Sequence, residues 1–176
     1  MSRRCIVLVG MMGAGKTEVG QLLAEQLGYG FIDTDVLIAE SAGKSIAKIF
    51  EQDGEEAFRQ IERDVIHGLM NEREKVIATG GGAVMDAANR QVLSGLGHTV
   101  YLKASPHELY LRVKNDRGRP LLNVKNPEGE LARILGEREL AYERCDITMD
   151  TEMYGVDEVV AELIDELAKR TIETQL

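Results

Sequence analysis

The stretch Cys5-Ile6-Val7-Leu8-Val9-Gly10-Met11-Met12-Gly13-Ala14-Gly15-Lys16-Thr17 decides the fold. Its first five residues form an unbroken apolar run, which predicts a buried strand ended by Gly10. Beyond Thr17, Val19, Leu22, Leu23 and Leu27 recur at helical spacing, which predicts a helix over Lys16–Leu27. Between strand and helix, Gly10–Thr17 matches the phosphate-cradling pattern GxxxxGK[ST] in full. The residue types follow from the task. Glycines let the backbone curl so that successive N–H groups point inward, and the helix N-terminus adds partial positive charge at the same place. Lys16 can reach the β- and γ-phosphates of a nucleotide, and the Thr17 hydroxyl can ligate Mg2+.

Outward from this loop, short apolar runs alternate with longer amphipathic ones. Further strands are expected at Phe31–Ile32, Val76–Ala78, Thr99–Lys103 and Ile147–Met149. Helices are expected at Val36–Glu40, Ser45–Phe50, Glu55–Met70, Ala87–Ser94, Pro106 to about Val113, Glu128 to about Glu143, and Val156–Arg170. Ser105-Pro106 is a strong start signal, an N-cap hydroxyl followed by proline at the first helical position. Such alternation predicts an α/β fold, a parallel sheet with helices on both faces. No repeat or low-complexity tract interrupts it, so residues 1–176 are expected to form a single domain.

Composition narrows the function. The 176 residues are 44% hydrophobic and 29% charged, the balance of a globular chain, and the net charge of −9 argues against nucleic acid and anionic membranes as partners. Cys5 lies in an apolar strand-like run and Cys145 is read with the one that follows it, and neither has CxxC or Cys/His ligand spacing, so both are expected as reduced, buried thiols. No run approaches the ~20 apolar residues of a membrane helix, and the apolar run near the N-terminus is too short for a signal peptide. A cytoplasmic protein is the expectation. His67, His98 and His107 show no mutual metal or triad spacing.

An acceptor for the phosphate would sit beyond the carboxyl ends of the strands, where open α/β sheets bind ligands. Asp33 and Asp35 follow the second strand; one could hold Mg2+ through water while the other takes a proton from an attacking hydroxyl. Gly80-Gly81-Gly82 follows the third strand and permits close backbone approach by a ligand. Arg59 is followed three residues later by Glu62, which could orient it, while Arg112, Arg117 and Arg119 cluster in a basic segment broken by Gly118 and Pro120. Arg138 lies in the next helix. Arginines suit bidentate capture of carboxylate or phosphate, and the basic segment has the composition of a lid that closes over ATP and excludes water.

Taken together, Gly10–Thr17, Asp33-Thr34-Asp35, Phe58-Arg59 with Glu62, Gly80–Gly82, Gly118-Arg119-Pro120-Leu121-Leu122, and Arg138 with Tyr142 resemble the shikimate kinases over nearly the whole chain. The resemblance implies a three-layer α/β/α P-loop NTPase fold, a five-stranded parallel sheet in order 2-3-1-4-5, substrate-binding helices at about 33–62 and a mobile lid at about 112–127. It implies transfer of the γ-phosphate of ATP to the 3-hydroxyl of shikimate, with Mg2+ as cofactor, by a monomer on the route to chorismate and the aromatic amino acids. Lys16, Asp35 and Arg119 would be catalytic. Gly13, Ala14, Gly15, Lys16, Thr17, Glu18, Arg112 and Arg119 would bind ATP, with Arg112 stacking near adenine. Asp35, Arg59, Gly81 and Arg138 would bind shikimate; Thr17, and Asp33 through water, would hold the metal.

The chain departs from the family pattern in three places, one of them the stretch from Tyr142 to the last strand, about one residue short of the usual pattern. Arg138-Glu139-Leu140-Ala141-Tyr142 lacks the usual proline, and Glu152–Val156 lacks the arginine and proline often found there. Two rivals stand beside this expectation: a P-loop kinase for another small metabolite such as gluconate, and a nucleotide-sensing module. No NKxD guanine-reading run is present for the second.

Overall fold

Cys5–Val9 forms strand β1, with none of its five residues more than 5% exposed. The computed structural model describes residues 4–115 and 124–173. On one side β1 pairs with β3 (Lys75–Ala78), which in turn pairs with β2 (Gly30–Asp33). On its other side β1 pairs with β4 (Gly97–Lys103), which carries β5 (Ile147–Asp150). All pairings are parallel, so Val7 sits beside Ile77 on one flank and Thr99 on the other, and the order is β2-β3-β1-β4-β5. The strand order and hand of pairing match the expectation.

Parallel neighbours need crossovers, and helices supply them. The helices are α1 (Lys16–Leu27), α2 (Thr34–Ala42), α3 (Ile46–Gln52), α4 (Gly54–Gly68), α5 (Ala87–Leu96), α6 (Pro106–Val113), α7 (Pro127–Tyr142) and α8 (Val156–Glu173). Helix α1 packs with α8, α4 with α5, and α6 with α7. Their starts obey local chemistry: Ser45, Asp86, Ser105 and Asn126 each cap a helix by accepting from a backbone N–H two or three residues on. Each such cap contributes about 1 kcal/mol.

The main core joins the sheet to α1, α5, α7 and α8, and a separate small cluster of Ile38, Ile49 and Phe58 holds α2, α3 and α4 together. In that cluster the Phe50 and Phe58 rings lie 4.6 Å apart. The segment expected to bind the acceptor therefore has a small core of its own beside the sheet.

Several expectations change at the margins. Helix α2 is longer than the expected Val36–Glu40 because the Asp33 carboxylate caps it two residues earlier, accepting from Asp35 N at 2.9 Å. Short 3-10 turns at Leu69–Asn71 and Ala83–Met85 were not expected. Cys145 lies in the turn between α7 and β5, half-buried rather than in a strand, and burial pushes its thiol up to about 11. Cys5 is fully buried as expected.

Candidate active site

The loop after β1 is built to receive an anion. Gly15 precedes α1 with φ of 88°, a left-handed conformation that favours glycine, and it provides no side-chain cap. The first amides of α1 therefore remain for a ligand, with the helix dipole behind them. Lys16 Nζ donates to the carbonyls of Gly10 and Met11 at 2.9 Å each. Its ammonium is thus held at the loop, at the place where phosphate oxygens would replace those carbonyls.

Across the sheet, the end of β2 supplies the carboxylates. The Thr17 hydroxyl donates to Asp33 Oδ2 at 3.2 Å while Asp33 Oδ1 caps α2. One carboxylate therefore ties the loop to the acceptor-side helices. A hydroxyl and a carboxylate at this distance make a hard-oxygen pair that fits Mg2+, which keeps most of its water and takes few protein ligands. Among the described residues no cluster of three or more His, Cys, Asp or Glu could hold a metal ion by itself, so the remaining ligands would come from phosphates and water. Thr34, between the two aspartates, is fully buried and accepts from Gly80 N at 3.1 Å, tying α2 to the glycine run. Nothing in the sequence periodicity marks that role.

Each of the three glycines makes room for a different functional side chain. A Cβ on Gly80 would lie 2.7 Å from Asp35 Oδ1 and 3.2 Å from Glu62 Oε1. One on Gly81 would lie 3.4 Å from Arg138 Nη1, and one on Gly82 would lie 2.7 Å from both terminal nitrogens of Arg59. Asp35, Glu62, Arg59 and Arg138, from three helices, thus converge on one short loop.

Arg59 Nη1 donates to Glu62 Oε2 at 2.8 Å, one helical turn along α4, and Nη2 donates to Glu55 at 3.3 Å. Glu62 is 1% exposed, and its Oε1 has no hydrogen-bond partner among the described residues. Burial raises the Glu62 carboxyl above its ordinary range; Arg59 opposes that shift by hydrogen bond and charge, Asp35 adds to it, and Arg138 opposes it. Burial likewise works against the Arg59 charge, but Glu62 and Glu55 outweigh it and raise that group.

Arg112 is drawn into the frame of the nucleotide side. It donates to Thr151 Oγ1 at 3.1 Å, to Thr151 O at 2.6 Å, to Gly13 O at 3.4 Å and to Glu108 at 3.0 Å. It thereby links the loop to the end of β5, a tie through Thr151 that sequence alone did not reveal. Glu152 accepts from Ser105 N, anchoring the segment after β5 to the start of α6. Arg117, Gly118, Arg119 and Pro120, the centre of the expected lid, lie outside the described residues.

A cleft of about 410 Å³ joins these parts, lined on one side by Gly13, Gly15, Lys16, Thr17 and Glu18 and on the other by Asp35 and Gly81. This fold, with a Lys- and Thr-bearing cradle at its first strand and a cleft that extends from it to Asp35 and Gly81, defines a P-loop phosphotransferase. The shikimate kinase family model matches residues 12–168. A shikimate kinase of Geobacter sulfurreducens is 46% identical over 91% of this chain and 88% of the relative. Among solved structures, a shikimate kinase from Acinetobacter baumannii in complex with shikimate superposes with a TM-score of 0.92 at 38% identity, covering 96% of this chain and 94% of that one. The Aquifex aeolicus shikimate kinase gives 0.80 at 34% identity over 95% and 98%. The chain belongs to the shikimate kinase family and is an ATP-dependent kinase. No helix among the described residues is long and apolar enough to cross a membrane.

Proposed function

We propose that the chain transfers the γ-phosphoryl group of ATP to the 3-hydroxyl of shikimate, giving shikimate 3-phosphate for chorismate and aromatic amino acid synthesis. The observation that carries this is the single cleft running from the Gly13–Glu18 cradle to Asp35 and Gly81, with Arg59 and Arg138 gathered at the same glycine loop. The cradle takes the anionic donor; the arginines take the carboxylate of the acceptor, which leaves its ring hydroxyls toward Asp35.

Transfer is direct and in line, with no phosphoenzyme. Lys16 leaves the Gly10 and Met11 carbonyls for the β- and γ-phosphates, where its charge offsets that of the moving phosphoryl group. Asp35 holds the acceptor hydroxyls and takes the proton from the attacking one. Gly81 offers its backbone to the ring, and Arg59 and Arg138 grip the carboxylate. Bound Mg2+, held by Thr17 and, through water, by Asp33, would neutralise phosphate charge. Gly13, Ala14, Gly15 and Glu18 surround the phosphates, Arg112 is assigned to the adenine side, and Arg119, outside the described residues, is assigned the remaining charge stabilisation. Positioning supplies most of the rest.

A monomer acting as a single catalytic domain in a cytoplasmic setting goes with this reading. ADP release across a panel of acceptors tests the proposal. Turnover is expected with shikimate and not with gluconate; dependence on gluconate, or ADP release independent of any acceptor, would assign the chain elsewhere.

A further inference from the structure

The glycine loop between β3 and the Ala83–Met85 turn has three carbonyls to satisfy in a largely buried setting. Gly80 O accepts from Ala83 N at 3.1 Å and Gly82 O from Met85 N at 3.0 Å, both within the loop itself. The Gly81 carbonyl instead accepts from the hydroxyl of Tyr142, sixty-one residues away at the end of α7. Tyr142 is fully buried, and its ring stacks on that of Tyr101 at 5.0 Å with 24° between planes. Tyr101, 1% exposed on β4 beside Val9, has a hydroxyl with no hydrogen-bond partner among the described residues. Of the two stacked tyrosines, Tyr142 alone has a hydroxyl bonded among the described residues, and the bond falls on the loop that meets the acceptor.

Tyr142 also follows Arg138 by four residues, so the two side chains lie on one face of α7. Arg138 Nη1 comes within 3.4 Å of the position a Gly81 Cβ would occupy. Burial raises the Tyr142 phenol, and the charge and hydrogen bonding of Arg138 pull against that shift.

We propose that Tyr142 is a positioning residue for the acceptor site, its hydroxyl fixing the Gly81 carbonyl and the Arg138 guanidinium relative to one another. This rests on the proposed acceptor site, in which Gly81 and Arg138 both meet shikimate. With the hydroxyl gone, the ring still fills its place against Tyr101, but the Gly81–Gly82 peptide, against which the Arg138 guanidinium lies, loses its lateral tie. Tyr101 is the internal control. Its hydroxyl is buried and has no partner among the described residues, so its removal leaves the stack intact and frees none of them.

The test compares Tyr142→Phe and Tyr101→Phe with wild type, by steady-state kinetics for both substrates and by thermal melting. Tyr142→Phe is expected to raise KM for shikimate roughly five- to tenfold while KM for ATP stays within about twofold, the loss of one buried hydrogen bond at the acceptor. Tyr101→Phe is expected to keep both KM values and to melt at the same or a higher temperature. A Tyr142→Phe enzyme that melts lower but keeps its shikimate KM, or that loses both substrates equally, would overturn the assignment. Calorimetric titration of shikimate into each folded variant gives a second readout, with weakened binding expected for Tyr142→Phe alone and equal binding in both contradicting it. A wild-type enzyme without shikimate-dependent turnover would sink the acceptor site itself; normal wild-type turnover with an unaffected Tyr142→Phe would sink only the positioning role.

Discussion

Arg59 and Glu62 form a 2.8 Å ion pair across one turn of α4 in which the carboxylate is 1% exposed and the guanidinium 26% exposed. The acid is the buried foundation, and in the proposed function the arginine is the end that meets the acceptor. Replacing the arginine therefore has two separable consequences. Arg59→Ala is expected to weaken shikimate binding roughly ten- to hundredfold, as for a lost charge-assisted hydrogen bond, with little change toward ATP. It also strips Glu62 of the group that most opposes its burial, which drives the carboxyl further above its ordinary 4.5. A carboxyl raised by folding costs nothing below its unfolded value and destabilises the fold increasingly as pH climbs through the folded value. The melting deficit of Arg59→Ala should thus grow from pH 5 to pH 8; a deficit that shrinks over that range contradicts the assignment.

Gly82 faces the same guanidinium from the loop. An alanine Cβ there would lie 2.7 Å from both Arg59 terminal nitrogens, which sit at the tip of a flexible side chain. The fold can yield by moving that tip, but the acceptor site cannot. Gly82→Ala is expected to melt within about 1 kcal/mol of wild-type stability while its KM for shikimate rises roughly tenfold or more. Unchanged kinetics would show that the guanidinium position has no bearing on the acceptor.

Asp33 divides its two oxygens between Asp35 N and the Thr17 hydroxyl. Asparagine caps a helix as well as aspartate does, so Asp33→Asn should preserve α2 and the melting temperature. It removes a negative charge beside the proposed metal. The free Mg2+ needed for half-maximal velocity is expected to rise roughly tenfold or more, measured at saturating ATP and shikimate. An unaltered Mg2+ dependence would remove Asp33 from the metal site.

Much of this architecture is legible in the chain because strong local signals coincide with it. The Cys5–Val9 run and the Gly10–Thr17 loop specify a strand, a turn and a helix start together, and Ser105-Pro106 marks α6 to the residue. The Arg59–Glu62 spacing also survives intact as a contact, because helical geometry alone brings residues three apart together. Long-range ties leave no such trace. Thr34 to Gly80 and Tyr142 to Gly81 span 46 and 61 residues, and neither hydroxyl stands out from its neighbours in periodicity or charge. The boundary of α2 was misplaced for a related reason: Asp33 both ends a strand and caps a helix, leaving no loop residues between them. Cys145 falls in the turn before β5, and nothing in sequence sets an apolar residue beside a strand apart from one inside it.

The central claim is that the γ-phosphoryl group lands on one particular alcohol of a ring acid held at the glycine loop. Phosphorus NMR with proton coupling, applied to the product of shikimate and MgATP, reads that outcome atom by atom. A phosphate ester coupled to the proton at carbon 3 of the ring is expected, formed in step with ADP. Inorganic phosphate as the only product, or an ester on another hydroxyl, would contradict it.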